Sequence, residues 1–313
     1  MSLFDIKAKY EQGKISKPDY IPQMYEFHKQ LFDYARFIGN TDIASIEIND
    51  QGLLITSRKS GIKMLCTHPD RRIPPMEILN FGQYEERYDA VLRQLIRPHY
   101  TFLDIGANIG WYTVSFAQMS PHSRIFSFEP VPQTFQALTT NVQLNELTNV
   151  QAYNFGLSNQ NENIVFYVNP EESIINSLRN ISESPAIREL SCRVRRMDDV
   201  VDELKIKQID FIKCDVEGAE LFVFQGGLNT LRQHLPIVFA EMLRKWSARF
   251  GYHPNEMIQM FAEMGYRCFK VKGKKLEEFI KMDEQTIENN FFFLHTVKHA
   301  DLIKQMVCLN DEE

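Results

Sequence analysis

The chain has no apolar run approaching the roughly 20 residues a membrane-spanning helix needs, which excludes a transmembrane enzyme. The opening stretch, MSLFDIKAKYEQGK, has no apolar segment behind its lysines, so no secretory signal is expected and a cytoplasmic location is. Cysteine is scarce: five residues, at 66, 192, 214, 268 and 308, with wide spacings and no C-x-x-C. No histidine pair stands at ligand spacing, so a disulfide framework and a structural zinc site are both excluded, and reduced thiols are expected. There is no excess of positive charge. The net charge of −6 argues against broad nucleic-acid binding and leaves room only for a local basic patch. Neither G-x-S-x-G nor a histidine triad pattern occurs, which excludes serine hydrolase chemistry. Repeats and low-complexity blocks are absent as well.

Aromatic residues are abundant. Twenty-three Phe and 12 Tyr exclude disorder for most of the chain, and 313 residues fit one large α/β domain with appendages. In residues 1–40, Met24, Phe27, Leu31, Tyr34 and Ile38 recur at helical spacing. IASIEIND, LLITSRKSG and IKMLCTH then read as three short strands, turning at Asn49–Gly52 and at Ser60-Gly61. This meander is expected to pack against a sheet edge or to form a homodimer contact. After Pro69, Pro74 and Pro75, residues 83–97 predict a helix with a stripe of Tyr84, Tyr88, Val91, Leu92, Leu95 and Ile96.

From residue 100 short apolar strands alternate with helical stretches. YTFLDIG precedes a helix over 110–118, RIFSFEP one over 132–144, IDFIKCDV one over 219–225, and PIVFAEM one over 255–264. NVQAYNFGLS reads as a further strand, and GYRCFKVK with NNFFFLHTV as a closing pair. Such alternation predicts a doubly wound, mostly parallel sheet with helices on both faces. Residues 163–196 interrupt it as an insert whose part at 170–192 is expected to form a lid, and NDEE reads as a frayed tail.

The segment from Leu103 to Tyr112, LDIGANIGWY, is a strand, a Gly-rich turn and a helix start. Gly106 is expected to bring a ligand against the backbone, and Gly110 to bring the helix against the sheet. The turn's N–H groups are expected to point, free, into the crevice at the strand's carboxyl end. G-A-N-I-G-W lacks the second and third glycines of a dinucleotide fingerprint. Asp104, at the strand end, repels a pyrophosphate and suits a cationic amino group. Glu129 ends the second strand 25 positions later, where an acid accepts hydrogen bonds from both ribose hydroxyls of an adenosine. Together they suggest an adenosine ligand carrying an amino acid, a description that S-adenosylmethionine fits.

Three blocks, LDIGANIGWYT, FSFEPVPQTFQALTTNVQLN and IDFIKCDVEGAELFVFQGG, resemble the signature blocks of the FkbM-family methyltransferases. The resemblance runs from about Asn80 to His295, and Ile212–Glu220 is its most specific part. Cys214 stands where an aliphatic residue is common and Trp111 where a tyrosine is, and both keep the size. The resemblance implies a class I methyltransferase (Rossmann-like) fold with a seven-stranded sheet. It also implies S-adenosylmethionine as cofactor and O-methylation of a small molecule, sugar or glycan. The domain would span 81–300, after an extension of 1–80 and before a tail of 301–313. Asp104, Gly106, Ala107, Asn108 and Gly110 would line the methionine end, Glu129 would hold the ribose, and Asn154 and Gly156 would border the adenine.

Lys213, Asp215, Glu217 and Glu220 cluster where the fourth strand ends, and Glu241 ends the next. An alcohol acceptor needs its proton removed or its oxygen polarised. Asp215 is assigned as the base, with Glu217 beside it and Lys213 as counter-ion. Glu220 is expected to open the next helix, where its dipole favours an acid. A divalent cation held by Asp215 and Glu241 is the less favoured alternative. Arg179, Arg188, Arg193, Arg195 and Arg196 of the insert could close on an anionic acceptor, though a solvated strand face is the commoner reason for such a run. Two rival readings are an NAD-dependent oxidoreductase, disfavoured by the missing glycines, and a catalytically silent binding module, disfavoured by the intact acids.

Overall fold

The structure is a computed structural model, and it describes residues 1–66, 71–168 and 188–307. Three helices come first: α1 (Leu3–Glu11), α2 (Lys17–His28) and α3 (Gln30–Phe37). They bury little, only Ile6 in α1, Met24 in α2 and nothing in α3. Phe4, Ile21, Leu31, Phe32 and Phe37 are exposed on them. The meander follows as β1 (Ile43–Asn49), β2 (Gly52–Ser57) and β3 (Lys63–Cys66), antiparallel throughout.

Next are α4 (Pro74–Phe81) and α5 (Glu86–Leu95). The helix predicted over 83–97 is therefore shorter. Gly82 closes α4 at φ +85°, and Glu85 turns the chain again at φ +45°, so Tyr84 lies outside the helix and off its stripe.

The main unit contains β4 (Thr101–Ile105), α6 (Trp111–Met119), β5 (Arg124–Phe128), α7 (Pro132–Leu144) and β6 (Val150–Tyr153). A second small sheet contains β7 (Gly156–Ser158), β8 (Glu162–Val168) and β9 (Arg188–Arg196), in the order β7-β9-β8. The chain then runs through α8 (Met197–Glu203), β10 (Phe211–Cys214), α9 (Glu220–Gln225), α10 (Leu228–His234) and β11 (Ile237–Glu241). It ends with α11 (Arg244–Ser247), α12 (Pro254–Glu263), β12 (Tyr266–Lys272), β13 (Lys275–Glu278), β14 (Asn290–His295) and α13 (Ala300–Met306).

The main sheet has the order β13-β12-β14-β11-β10-β4-β5-β6. The five strands from β11 to β6 pair in parallel, and β14 reverses direction against β11. The seven expected strands are joined by β13, which extends one edge. Every residue of β4 and β10 is buried because helices cover both faces of the sheet. The chain leaves β4 toward β5 and later returns to β10 on the other side. The crevice between the carboxyl ends of β4 and β10 is thus a topological switch point, the usual ligand site of such sheets.

Three further sequence expectations change. The segment 150–158 is two strands in two sheets, because Asn154 and Phe155 turn the chain away after Tyr153. The meander does not pack on a sheet edge. It docks on α7, whose Asn141 Oδ1 accepts from Leu65 N (2.8 Å) and whose Asn145 Oδ1 accepts from Lys63 N (2.9 Å). Its apolar side shares a core with Ile109 and Val114 of the turn and α6. The tail expected from 301 is helical through Met306, which is fully buried. Residues 308–313, with NDEE and Cys308, lie outside the described residues, as do Pro69 and residues 169–187 of the expected lid, Arg179 among them. The four described cysteines are buried.

Candidate active site

A cavity of about 270 Å³ opens at the switch point. Gly106, Ala107, Asn108, Glu129 and Gly156 are in its lining, together with Lys213, Asp215, Glu217 and Glu241. Asp104, Gly110 and Asn154, assigned to the same site from the sequence, do not line it.

The reasons are local. Asp104 lies level with Ser127 of β5 and Lys213 of β10, so the three side chains share a row across the sheet, beneath the turn. Thr113 from α6 donates its hydroxyl to Asp104 Oδ2 (2.6 Å) and lies 2.7 Å from Ser127 Oγ. Asp104 Oδ1 has no hydrogen-bond partner and faces Lys213 Nζ at 3.6 Å. Burial raises the Asp104 pKa, and Lys213 opposes it. The cation facing Asp104 is therefore the protein's own lysine. Asn154 braces the chain after β5, donating Nδ2 to the carbonyls of Glu129 (2.9 Å) and Pro130 (3.1 Å).

The turn is tighter than its sequence suggests. Gly106 takes φ +73°, and a Cβ there would come within 1.9 Å of the Asp215 carbonyl oxygen. What approaches this glycine is the chain leaving β10. At Gly110 (φ +93°) a Cβ would meet Leu138 of α7 at 2.5 Å, so the close contact is between two helices and not with the sheet. Nor are the turn's N–H groups free. Those of Gly106 and Ala107 bond the Phe128 carbonyl (3.0 Å each), that of Asn108 bonds Glu129 Oε2 (3.0 Å), and that of Ile109 bonds Asn108 Oδ1 (2.7 Å).

Glu129 is consequently the polar centre of the turn. Its Oε1 also accepts from Val131 N (2.9 Å), so each oxygen holds one backbone N–H and keeps a further lone-pair direction. Burial pushes its carboxyl up to about 7.

At the end of β10 Lys213 Nζ donates to the Gly106 carbonyl (2.9 Å) and stands 3.5 Å from Asp215 Oδ2. Burial lowers the lysine pKa, but Asp215 and Asp104 outweigh it and leave the lysine above its ordinary value. Glu217 sits at φ +57°, a left-handed backbone that a side chain seldom adopts. Burial and Asp215 raise the Glu217 pKa well above the usual range, and burial with Asp215 and Glu217 does the same to Glu241. Glu220 is turned away to structural work. Its Oε1 accepts from the N–H groups of Val216 (2.9 Å) and Gly218 (3.1 Å), and burial lifts it to about 7. Carboxylate oxygens of Asp215, Glu220 and Glu241 lie within 4.8 Å of one another, a set that could hold a cation.

The sequence reading missed the rest of the wall. Tyr84, Glu85, Trp111 and Tyr112 also line it, as do Arg72, Pro74, Glu77 and Asn289. Tyr112 donates its hydroxyl to Glu85, and Tyr84 meets Trp111 edge-on at 5.5 Å. Burial raises the Glu85 pKa. Trp111 and Tyr112 adjoin the turn motif, a signal that could have found them; Glu85 and Asn289 carry none. The arginines of β9 are not in the lining. Arg188 and Arg193 are exposed, Arg195 pairs with Glu203 (2.5 Å), and Arg196 stands 3.9 Å from Asp198 and Asp199.

The profile of the methyltransferase FkbM domain matches residues 104–268, more than half of the chain. The 2-O-methyltransferase NoeI of Sinorhizobium fredii is 30% identical over 154 residues, which cover 45% of this chain and 63% of NoeI. The hexuronic acid methyltransferase AglP of Haloferax volcanii is 27% identical over 177 residues, covering 56% of this chain and 67% of AglP. The chain spans about three-fifths of the length of the first curated relatives it matches. Among solved structures, the methyltransferase FkbM of Methylobacillus flagellatus is 16% identical with a TM-score of 0.41, over 69% of this chain and 52% of that one. No helix among the described residues is long and apolar enough to cross a membrane.

Proposed function

Because this chain belongs to the FkbM methyltransferase family, we propose that it uses S-adenosylmethionine to methylate a hydroxyl of a small-molecule or carbohydrate acceptor. One observation carries the reading. A single cavity pairs a buried acid at the end of β5 with Asp215 and Lys213 at the end of β10. The names of NoeI and AglP, a 2-O-methyltransferase and a hexuronic acid methyltransferase, support oxygen and sugar as the acceptor chemistry.

The residues present fit this donor. Glu129 keeps acceptor capacity for ribose hydroxyls, and Gly106, Ala107 and Asn108 offer a wall without long side chains. When bound, the donor supplies an electrophilic methyl group on a sulfonium. Asp215 takes the proton of the acceptor hydroxyl at its carboxylate oxygen. Lys213, anchored on the Gly106 carbonyl, holds Asp215 toward the cavity. Glu217 and Glu241 stand beside Asp215, and burial together with the charge of Asp215 pushes both their pKa values up. Trp111, Tyr84 and Tyr112 give the cavity an aromatic wall.

Asp215→Asn keeps the size and removes the base. Methyl transfer from radiolabelled S-adenosylmethionine to a panel of hydroxylated acceptors should fall about 10²–10⁴-fold, with donor binding retained. A chelator should leave the wild type active. Activity lost on chelation moves the role to a cation held by Asp215 and Glu241, and an Asp215→Asn protein with normal turnover sinks both versions. Calorimetry with NAD tests the oxidoreductase alternative, and a donor that binds without transfer to any acceptor would mark a silent module.

A further inference from the structure

A second cavity of about 220 Å³ lies behind the first, between the meander, α5 and α6. Tyr84, Glu85, Trp111 and Tyr112 line both cavities, so these four side chains are the partition between them. Lys213 Nζ stands 5.5 Å from the Tyr112 ring centroid and 3.5 Å from Asp215 Oδ2, so the partition adjoins the Lys213–Asp215 pair. Resting on the acceptor chemistry proposed above, we propose that this second cavity is a subsite for a neutral sugar unit of the acceptor, adjoining the unit that is methylated.

Space is the first reason. Small-molecule sites usually measure about 300–1,000 Å³, and the first cavity alone falls below that while it must also admit the donor. An acceptor larger than one ring needs adjoining room, which the second cavity offers on the acceptor side.

Charge is the second reason. Lys59 pairs with Glu86, and Arg93 Nε with Asp89 Oδ2 (2.8 Å). Asp42 accepts from Ser57 Oγ and Lys59 N, both at 2.8 Å, and Glu85 accepts from Tyr112. Each charged group in the lining is ion-paired or hydrogen-bonded within the protein, and the four acids outnumber the two bases, so the cavity has no free cation to hold an anionic sugar.

Lining chemistry is the third. Gln83, Gln118 and Ser60 supply amides and a hydroxyl, while Trp111, Tyr112 and Tyr84 supply aromatic surface. A pyranose ring presents this combination in complement, with hydroxyl groups at its rim and C–H faces above and below. The meander contributes Asp42, Lys59, Ser60 and Ile62 to this wall, which gives the N-terminal extension a part in acceptor recognition.

The test titrates sugars into the protein saturated with S-adenosylhomocysteine and reads binding by calorimetry and saturation-transfer NMR. The one-ring probe is methyl β-glucoside, and the two-ring probes are maltose and cellobiose. At least one two-ring probe should bind roughly tenfold tighter than the one-ring probe, the gain of one further ring packed on aromatic surface. Gln118→Trp and, separately, Gln83→Trp fill the second cavity without touching the first. Each should erase the two-ring advantage and leave methyl β-glucoside and S-adenosylhomocysteine binding unchanged. Should one variant fail to fold by circular dichroism, the other decides. Equal binding of all probes, a two-ring advantage that survives the filled cavity, or no sugar binding at all overturns the proposal. Failure of the wild type to bind S-adenosylhomocysteine is a different result, since it strikes the donor reading.

Discussion

Glu129 has two duties that pull its protonation in opposite directions. Burial raises its pKa to about 7, whereas the N–H groups of Val131 and Asn108 favour its charged form, as hydroxyl donors from a ribose would. A donor that prefers the carboxylate should therefore bind more tightly as pH rises through about 7. Calorimetry with S-adenosylhomocysteine between pH 5.5 and 8.5 should show this rise, and Glu129→Gln should flatten it and weaken binding by about 1–3 kcal/mol. A wild-type affinity independent of pH would remove Glu129 from the ribose. Asp104 illustrates the opposite lesson at the same scale. Its place at a strand end was legible, but its burial behind the wall was not, because that depends on Lys213 arriving from a strand 109 positions later.

Between elements, α7 serves as a clamp. Asn141, fully buried, accepts from Leu65 N of β3 and donates Nδ2 to the Ile109 carbonyl of the turn (2.8 Å each). One side chain thus ties the meander edge to the loop that walls the cavity. Asn141→Ala leaves the part-buried Leu65 N–H and the buried Ile109 carbonyl without this partner and should cost about 1–3 kcal/mol, mostly at the carbonyl. Urea unfolding should report a lower midpoint, and hydrogen exchange should quicken at both Leu65 and the turn. Protection lost at only one of them would show that the two contacts are independent. The helices α7 and α12 and the strands of the main sheet other than β13 were readable because period and apolar content agree along each segment. The division of 150–158 between two sheets was not, since both pieces have the same pattern and only their partners differ.

For the whole molecule, the extension is part of the domain's core. Ile43, Ile55, Ile62, Met64 and Ile73 form one cluster with Ile109 and Val114. Removing residues 1–37 takes away helices that bury only two side chains, so the remainder should fold, with a melting temperature within a few degrees of the full chain. Removing residues 1–72 strips the cluster and should give insoluble protein; thermal melts and size-exclusion profiles of the two truncations compare them directly. Stability should also depend on pH with a definite sign. Glu129 and Glu220 are both raised to about 7 from an ordinary 4.5. Groups with a raised folded pKa contribute stability that is full below the unfolded value and lost as pH climbs through the folded one. The donor-free protein should therefore melt progressively lower from about pH 5 to pH 8, and a flat profile would contradict the burial of these acids.

Local pattern was enough for the strand–turn–helix at 103–112, the acids at the ends of β4, β5, β10 and β11, and the alternation that makes the sheet. Each depends on neighbours within a few residues, where backbone sterics and side-chain periodicity act. Tertiary packing alone decided which of those acids face the cavity. It buried Asp104 against Lys213, bound Glu220 to the turn at Val216–Gly218, and left Asp215, Glu217, Glu241 and Glu129 in the lining. It also carried Glu85 and Asn289 there from outside the main motifs. Their distances from the turn along the chain place them beyond any local signal, and only the closing of the sheet and the docking of the extension bring them to one wall.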